Sequence, residues 1–224
     1  MSAARYIISV SAKNRNSGKC RIALSDGSEE IYSLDLALKF GLAKGNGFNE
    51  PLREQINREQ RIIDAKQAAY NFVSYKMRSS RQVSEKLKTK GFDDNEIEEA
   101  LKFLTGIDLL DDKKFAAQTA KYLIERKNLA GQSLIAELRM RGLSKTLAEE
   151  AVVADGLFHD EYELAMRAGE KKIKSLIYKK PEKLRSSLVS FLQRKGYSWD
   201  TIRSVSERLI AGIEVDDLFN ETNC

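Results

Sequence analysis

Apolar residues recur with a helical period through most of this chain, and three fifteen-residue stretches repeat one another. Residues 78–92 read RSSRQVSEKLKTKGF, 129–143 read LAGQSLIAELRMRGL and 183–197 read KLRSSLVSFLQRKGY. Aligned on Gly91, Gly142 and Gly196, they share an apolar residue eight positions earlier (Val83, Leu134, Leu188) and leucine four positions earlier (Leu87, Leu138, Leu192). Residues four apart lie on one helical face, so each stretch predicts a helix with that pair inward. The glycine predicts its stop, because glycine takes the left-handed C′ conformation without steric cost. An apolar residue follows each time (Phe92, Leu143, Tyr197), as a Schellman ending prefers. A second helix is predicted immediately after. Its inner face holds Ile97, Ala148 and Ile202, six beyond the glycine, and Ala100, Ala151 and Val205, nine beyond.

An apolar helix also precedes the repeated stretch, with Ala69, Phe72 and Val73 in the first copy and Phe115, Ala116, Thr119 and Leu123 in the second. The repeating unit is therefore three helices. Glycine spacings of 51 and 54 residues suit units too small to bury a core alone but able to stack on neighbours. Ser79 with Gln82 three residues later predicts a capping box on the first middle helix.

Residues 5–32 follow a different rhythm: RYIISVSA, KCRIAL, SDGS, EEIYSL. The Asp26-Gly27 pair between two Ile- and Tyr-bearing runs predicts a hairpin. Ser33 is placed to cap a short helix, Leu34 to Phe40, that stops at Gly41, and GLAKGNGFNEP reads as a glycine-rich linker. The expected fold is mainly α: an elongated, curved tandem array of three three-helix repeats preceded by a small N-terminal β-hairpin unit. The expected boundaries are 1–50 for the β unit, short helix and linker, then repeats over 51–110, 111–165 and 166–224, the last with the C-terminal tail.

Composition narrows the function. The 224 residues are 42% hydrophobic and 32% charged, with two prolines and a net charge of +5, which suits a helix-rich chain with an anionic partner. Cys20 and Cys224 are the only cysteines, so no disulfide framework is implied and a reducing, cytoplasmic setting is expected. Neither a signal peptide nor a membrane span is expected.

The distribution of charge says more than the total. Residues 61–92 hold eight Lys/Arg against two Asp/Glu, and 93–112 one against eight; 113–146 hold eight against two, and 147–170 one against seven; 171–203 hold ten against two, and the remainder one against five. Each unit is basic in its first two helices and acidic in its third. Units stacked in register would align these into a basic and an acidic stripe.

Catalytic motifs are missing from the sequence: there is no Walker loop, GxSxG or dinucleotide fingerprint. The lone histidine, His159, stands beside Asp160 without the further ligands a metal hydrolase needs, and reads as a helix-start or surface residue. Asp108, Asp111 and Asp112 precede an apolar helix and read as its caps. Tyr70, Phe72, Tyr75, Tyr122, Tyr178 and Trp199 interleave with basic residues, as single-strand binders require, but their helical spacing predicts core positions. The expectation is a chain without enzymatic activity, cofactor or metal.

Two local stretches, YKMRSSRQVSEKLKTKGF and LLDDKKFA, resemble the RecX family of bacterial recombination regulators. The first matches at Tyr75, Lys76, Arg78, Ser79, Leu87, Lys90 and Gly91, and the second at Asp112, Phe115 and Ala116. FLQRKGYSWDTI resembles the family's closing repeat at Leu192, Arg194, Gly196, Tyr197 and Ile202. The likeness runs from about residue 66 to 210, and the chain departs from the family pattern at Gln82 and Val83 and across Ala130, Gly131, Gln132 and Ser133. This resemblance implies a monomeric protein that lodges in the groove of the RecA recombinase filament, restrains strand exchange, ATPase and coprotease activity, and touches single- or double-stranded DNA weakly. The residues expected to make these contacts are Lys76, Arg78, Arg81, Lys88 and Lys90 in the first unit, Arg139 and Arg141 in the second, and Lys171, Lys172, Lys174, Arg185, Arg194 and Lys195 in the third. Such contacts weaken steeply with salt. The rival expectation is a helical-repeat nucleic-acid module with no recombinase partner, or a scaffold with a wholly protein partner.

Overall fold

The computed structural model describes residues 5–14, 18–153, 161–176, 178 and 180–221. His159 and Asp160 lie outside them. Three strands come first, β1 (Ile7–Ala12), β2 (Lys19–Leu24) and β3 (Glu29–Ser33), then a short helix α1 (Leu34–Lys39). Nine further helices follow among the described residues: α2 (Glu50–Val73), α3 (Ser80–Thr89), α4 (Asp94–Gly106), α5 (Asp112–Lys127), α6 (Gly131–Met140), α7 (Lys145–Val153), α8 (Glu161–Ile173), α9 (Pro181–Lys195) and α10 (Trp199–Glu221). The chain divides into two compact units, Met1–Lys76 with Val83–Leu110, and Met77–Gln82 with Asp111–Cys224.

In unit 1 the expected hairpin of β2 and β3 is completed by β1 into an antiparallel sheet of order β1-β2-β3, with Val10 opposite Ile22 and Cys20 opposite Tyr32. Cys20, Ile22 and Leu24 alternate onto one face of β2 and are buried with Tyr32, Leu36 and Ile56, the period-2 pattern of a half-covered sheet. The glycine-rich segment read as a linker is instead part of this core. Leu42 and Phe48 are buried in it, and backbone bonds run from Ile7 to Asn46, from Gly45 to Ile7 and from Phe48 to Arg5 at 2.7–2.9 Å. Its glycines allow tight turns that press two apolar side chains under the sheet, a contact no local pattern announces. Ser33 precedes α1 but makes no capping hydrogen bond; its amide donates to the Gln60 side chain at 2.7 Å.

Helix α2 serves two cores at once. Capped by Asn49, which accepts from the Leu52 amide, it buries Ile56 against the sheet and Ala65, Ala69 and Val73 against α3 and α4. Its 24 residues give a rod of about 36 Å, long enough for both. Beside it, Asp93 and Glu96 form a capping box at the start of α4. The Arg61 guanidinium from α2 bonds both Glu96 oxygens and the Gly91 carbonyl, and lies 5.6 Å from the Phe92 ring. Glu96 is only 3% exposed, and a buried carboxylate persists only with such a partner.

The three repeated stretches fold alike. Val83 and Leu87, Leu134 and Leu138, and Leu188 and Leu192 are buried, as are Ile97, Ala148, Ile202, Ala100, Ala151 and Val205. Each fully buried leucine contributes roughly 2 kcal/mol. Gly91, Gly142 and Gly196 have φ of 81°, 99° and 93°. The amides of Phe92, Leu143 and Tyr197 reach back to the carbonyls of Leu87, Leu138 and Leu192 at 3.3–3.4 Å, and each glycine amide reaches the carbonyl three before it: the two bonds of a Schellman motif. Ser79 and Gln82 exchange the expected capping-box bonds at 3.3 and 3.4 Å.

In unit 2 these turns also act as joints. The Ala130 amide, at the start of α6, donates to the Lys195 carbonyl at 2.8 Å, and Ser133 Oγ to the Arg194 carbonyl at 3.0 Å. A Cβ on Gly196 would stand 2.1 Å from the Ala130 oxygen. Likewise Ser79 Oγ donates to the Arg141 carbonyl at 2.8 Å, and a Cβ on Gly142 would meet that hydroxyl at 2.5 Å. Around Gly91 there is open space.

Two expectations follow. Alanine at Gly91 should cost about 1 kcal/mol, from left-handed strain alone, whereas Gly196→Ala should cost about 3 kcal/mol or more because the joint must also open. Urea unfolding of both variants checks this, and equal losses would contradict a joint at Gly196. The second concerns Glu161, which accepts from the Ser198 amide and from the Ser198 and Thr201 hydroxyls, all at 2.8 Å, at the start of α10. Burial raises its pKa, but these hydrogen bonds outweigh burial and hold the carboxyl below its ordinary range. Its stabilising contribution is present above the ordinary carboxylate pKa and is lost as pH falls through the depressed folded value. The gap in melting temperature between the native chain and Glu161→Gln should be widest at neutral pH and close as the pH drops below 4.5.

Candidate nucleic-acid interface

The basic residues singled out by the charge pattern separate according to what they touch. Lys88 Nζ lies 3.0 Å from Asp94, Arg141 bonds Glu137 at 2.9 Å, and Arg185 lies 3.8 Å from Glu207. Exposed pairs of this kind add little stability, yet each cation already faces a carboxylate, which weakens its field toward an outside anion. The alternation of basic and acidic helices is thus partly used inside the repeats. Arg78 and Arg81 also have partners of their own, and the Arg81 stem borders the Gly142 turn. By contrast Lys76, Lys90, Arg139, Lys171, Lys174 and Arg194 are exposed and Lys172 half-buried, and none pairs with a carboxylate among the described residues.

Several cations gather in the third repeat. Lys195 Nζ donates to the Lys127 carbonyl at 2.7 Å and lies 5.5 Å from the Phe191 ring, while Lys172 Nζ lies 5.8 Å from that ring. Burial lowers the Lys195 pKa, and the charges of Lys127 and Arg194 push it the same way. Lys127 is offset in part by Glu137, 3.6 Å away, whose carboxyl is held below its usual range by the hydrogen bond from Arg141 against the opposing effect of burial. The sequence reading missed Lys127 and Phe191. The i,i+4 spacing of Phe191 and Lys195 on α9 was a usable signal.

The aromatic residues expected in the core lie mainly outside it. Tyr70, Tyr75, Tyr122, Tyr178 and Trp199 are exposed, from 43% for Tyr70 to 93% for Tyr178, and Phe72 is half-buried. Tyr70 and Tyr122 each stand one residue from a buried position, Ala69 and Leu123, so about 100° of helical turn points them away. Tyr75 and Tyr178 follow the ends of α2 and α8, and Trp199 opens α10. In unit 1, Tyr70 lines an apolar groove of about 350 Å³ with Ile63 and Phe103.

Asp111 accepts from the Lys113 and Lys114 amides and caps α5, and those bonds, led by the one from Lys114, hold its carboxyl below the usual range. Asp112 accepts from the Ser80 amide at 2.8 Å. Asp111 therefore caps the helix that follows it, as expected, whereas Asp112 in the first turn of α5 accepts from the start of α3. Asp108, expected as a third cap, is not the cap of α5 and sits at a left-handed φ of 57°. Among the described residues no group of three or more His, Cys, Asp or Glu could hold a metal, and no helix is long and apolar enough to cross a membrane.

This fold and surface define a mainly helical protein of tandem three-helix repeats with a basic surface and a small N-terminal sheet. The family model for the first three-helix domain of RecX matches residues 65–104, and that for the third matches residues 159–205. The chain is 31% identical over 200 residues to the regulatory protein RecX of Bacillus licheniformis, covering 88% of this chain and 74% of that one. It is 28% identical over 208 residues to the regulatory protein RecX of Clostridium tetani, covering 91% and 94%. A crystal structure of regulatory protein RecX shares the fold with a TM-score of 0.73 at 21% identity, over 91% of this chain and 99% of that one. The chain belongs to the RecX family of regulatory proteins.

The surface placement of the aromatics is open to direct measurement. Trp199 is the only tryptophan and is 57% exposed, so native fluorescence should resemble that of free tryptophan and be quenched efficiently by acrylamide. A blue-shifted, protected emission would place it in the core instead.

Proposed function

We propose that this protein is a non-enzymatic regulator that binds the RecA recombinase filament as a monomer and restrains its ATPase, strand-exchange and coprotease activities, with basic residues touching DNA. The observation that carries this reading is the RecX relationship itself, which extends over 88% of the chain. The three repeated turns support it, since they preserve one helical scaffold on which the charged surfaces vary. A regulator of this kind acts by differential affinity: it shifts the filament toward whichever state it binds more tightly. The cations that pair with no carboxylate among the described residues, Lys76, Lys90, Arg139, Lys171, Lys172, Lys174 and Arg194, carry the contact. Lys88, Arg141 and Arg185 contribute less, because each must leave a carboxylate to meet an outside anion.

Single-strand-dependent ATP hydrolysis by RecA, titrated with the protein at two salt concentrations, tests this. Inhibition at substoichiometric amounts is expected. Replacing Lys90 and Arg139 together by alanine should raise the half-inhibitory concentration about fivefold or more, and replacing Lys88 and Arg185 together by less than about twofold. No inhibition at concentrations where the protein still binds single-stranded DNA would leave the nucleic-acid module without a recombinase partner as the correct reading.

A further inference from the structure

The third repeat holds a polar cleft of about 330 Å³ lined by Lys172 and Leu176, on and just beyond α8, and by Ser186, Ser187, Ser190 and Arg194 of α9. Ser186, Ser190 and Arg194 are spaced four apart and so share one face of α9. Leu176 is buried at 2% exposure and supplies an apolar wall. Two cations and three serines therefore meet in one cleft, with Ser186 Oγ already donating to the Lys183 carbonyl at 3.2 Å, and among the described residues no carboxylate lines it.

The surroundings deepen its positive character. The Lys172 ammonium stands over the Phe191 ring, with the Lys195 ammonium near the same ring. Arg194 and Lys127 are close enough to Lys195 to depress its protonation further. Of these cations only Lys127 faces a carboxylate among the described residues, Glu137 at 3.6 Å; the others repel one another, and an incoming anion relieves that repulsion. The donor set selects among anions. A carboxylate offers two coplanar oxygens, which one guanidinium fork satisfies; a phosphate diester presents oxygens in several directions, matching a fork, a point charge and a hydroxyl donor at once. Lys171 and Lys174, exposed at the end of α8, extend the positive surface toward neighbouring phosphates, which a free phosphate ion would not need. Tyr178, two residues beyond Leu176 and fully outside the core, offers a ring on which a base can stack.

We propose that this cleft is a phosphodiester site that seats one backbone phosphate of single-stranded DNA, with Arg194 as the fork, Lys172 as the point charge and the Ser190 hydroxyl as a neutral donor. The assignment rests on the reading above that the protein touches DNA, and it names where.

The test is fluorescence anisotropy of a labelled oligothymidylate titrated with the full chain across a range of salt, alongside RecA ATPase assays of the same proteins. Lys172→Ala and Arg194→Ala should each weaken binding about five- to tenfold and flatten the log–log salt slope by about 0.7, the value for one counterion released per single-strand phosphate contact. Ser190→Ala should weaken binding about twofold with the slope unchanged, since a hydroxyl displaces no counterion. Lys145→Ala, at an exposed lysine facing Glu149, should change affinity less than about twofold. Thermal unfolding confirms that each variant is folded, and an upward shift of the Lys195 pKa on adding oligothymidylate provides a readout that needs no substitution. Oligothymidylate binding that Lys172→Ala and Arg194→Ala leave intact would overturn the site while leaving the RecA reading in place. Displacement of the oligonucleotide by inorganic phosphate at equal concentration would overturn the backbone phosphate as occupant in favour of the free ion. No oligothymidylate binding, with RecA inhibition lost in Lys172→Ala and Arg194→Ala, would overturn the nucleic-acid occupant and identify an acidic protein surface.

Discussion

A glycine turn with no room for a side chain holds the helical repeats of the second unit to one another. A helix ends with carbonyls that lack internal partners, and another begins with amides in the same condition. At Gly196 the two deficits meet: the Ala130 amide opens α6 and takes the Lys195 carbonyl that closes α9, with Ser133 Oγ on the carbonyl of Arg194 beside it. Such close approach requires bare backbone. The same device recurs at Gly142, where the capping serine of α3, Ser79, bonds the carbonyl of Arg141. In unit 1 the Gly91 carbonyl is met by the Arg61 guanidinium instead. One local motif therefore ends three helices and is given three different partners.

The repeated basic residue before each glycine has a related explanation. Lys90, Arg141 and Lys195 all stand at helix C-termini, where the partial negative charge of the unpaired carbonyls favours a cation. Beyond that shared role they diverge. Lys90 projects into solvent, Arg141 turns back to Glu137, and Lys195 crosses to the Lys127 carbonyl. Recurrence in the sequence thus reports the common electrostatics of a helix end. The surroundings decide which copy is left to meet a partner, and the Lys172 and Arg194 cleft beside α8 and α9 brings two cations together with no lining carboxylate among the described residues.

The three-helix repeats were legible because their causes are local. Leucine pairs four apart, a glycine and an apolar residue after it define a helix, its stop and its inward face within fifteen residues, and the structure follows them in all three copies. The capping roles of Ser79 and Asp111 were readable for the same reason, whereas the bond from the Ser80 amide to Asp112 spans 32 residues and was not. Tyr70 and Tyr122 were misplaced because one residue of helical offset, worth about 100°, separates a core position from a surface one, and composition alone does not resolve it. The 41–50 segment was misread as a linker because its glycines are visible in the sequence, whereas the pairing of Asn46 and Gly45 with Ile7 is not.

The sequence by itself determined where the helices of the repeated stretches stop, which of their faces turn inward, and the family, since these rest on propensity, periodicity and short motifs. Only the tertiary structure decided which carbonyl each turn offers to which helix, which lysines and arginines are already occupied by Glu96, Glu137, Asp94 or Glu207, and which remain for an outside anion. Those outcomes depend on residues as far apart as Ala130 and Lys195, or Arg61 and Glu96, and distances across a fold are fixed by packing, not by neighbours along the chain.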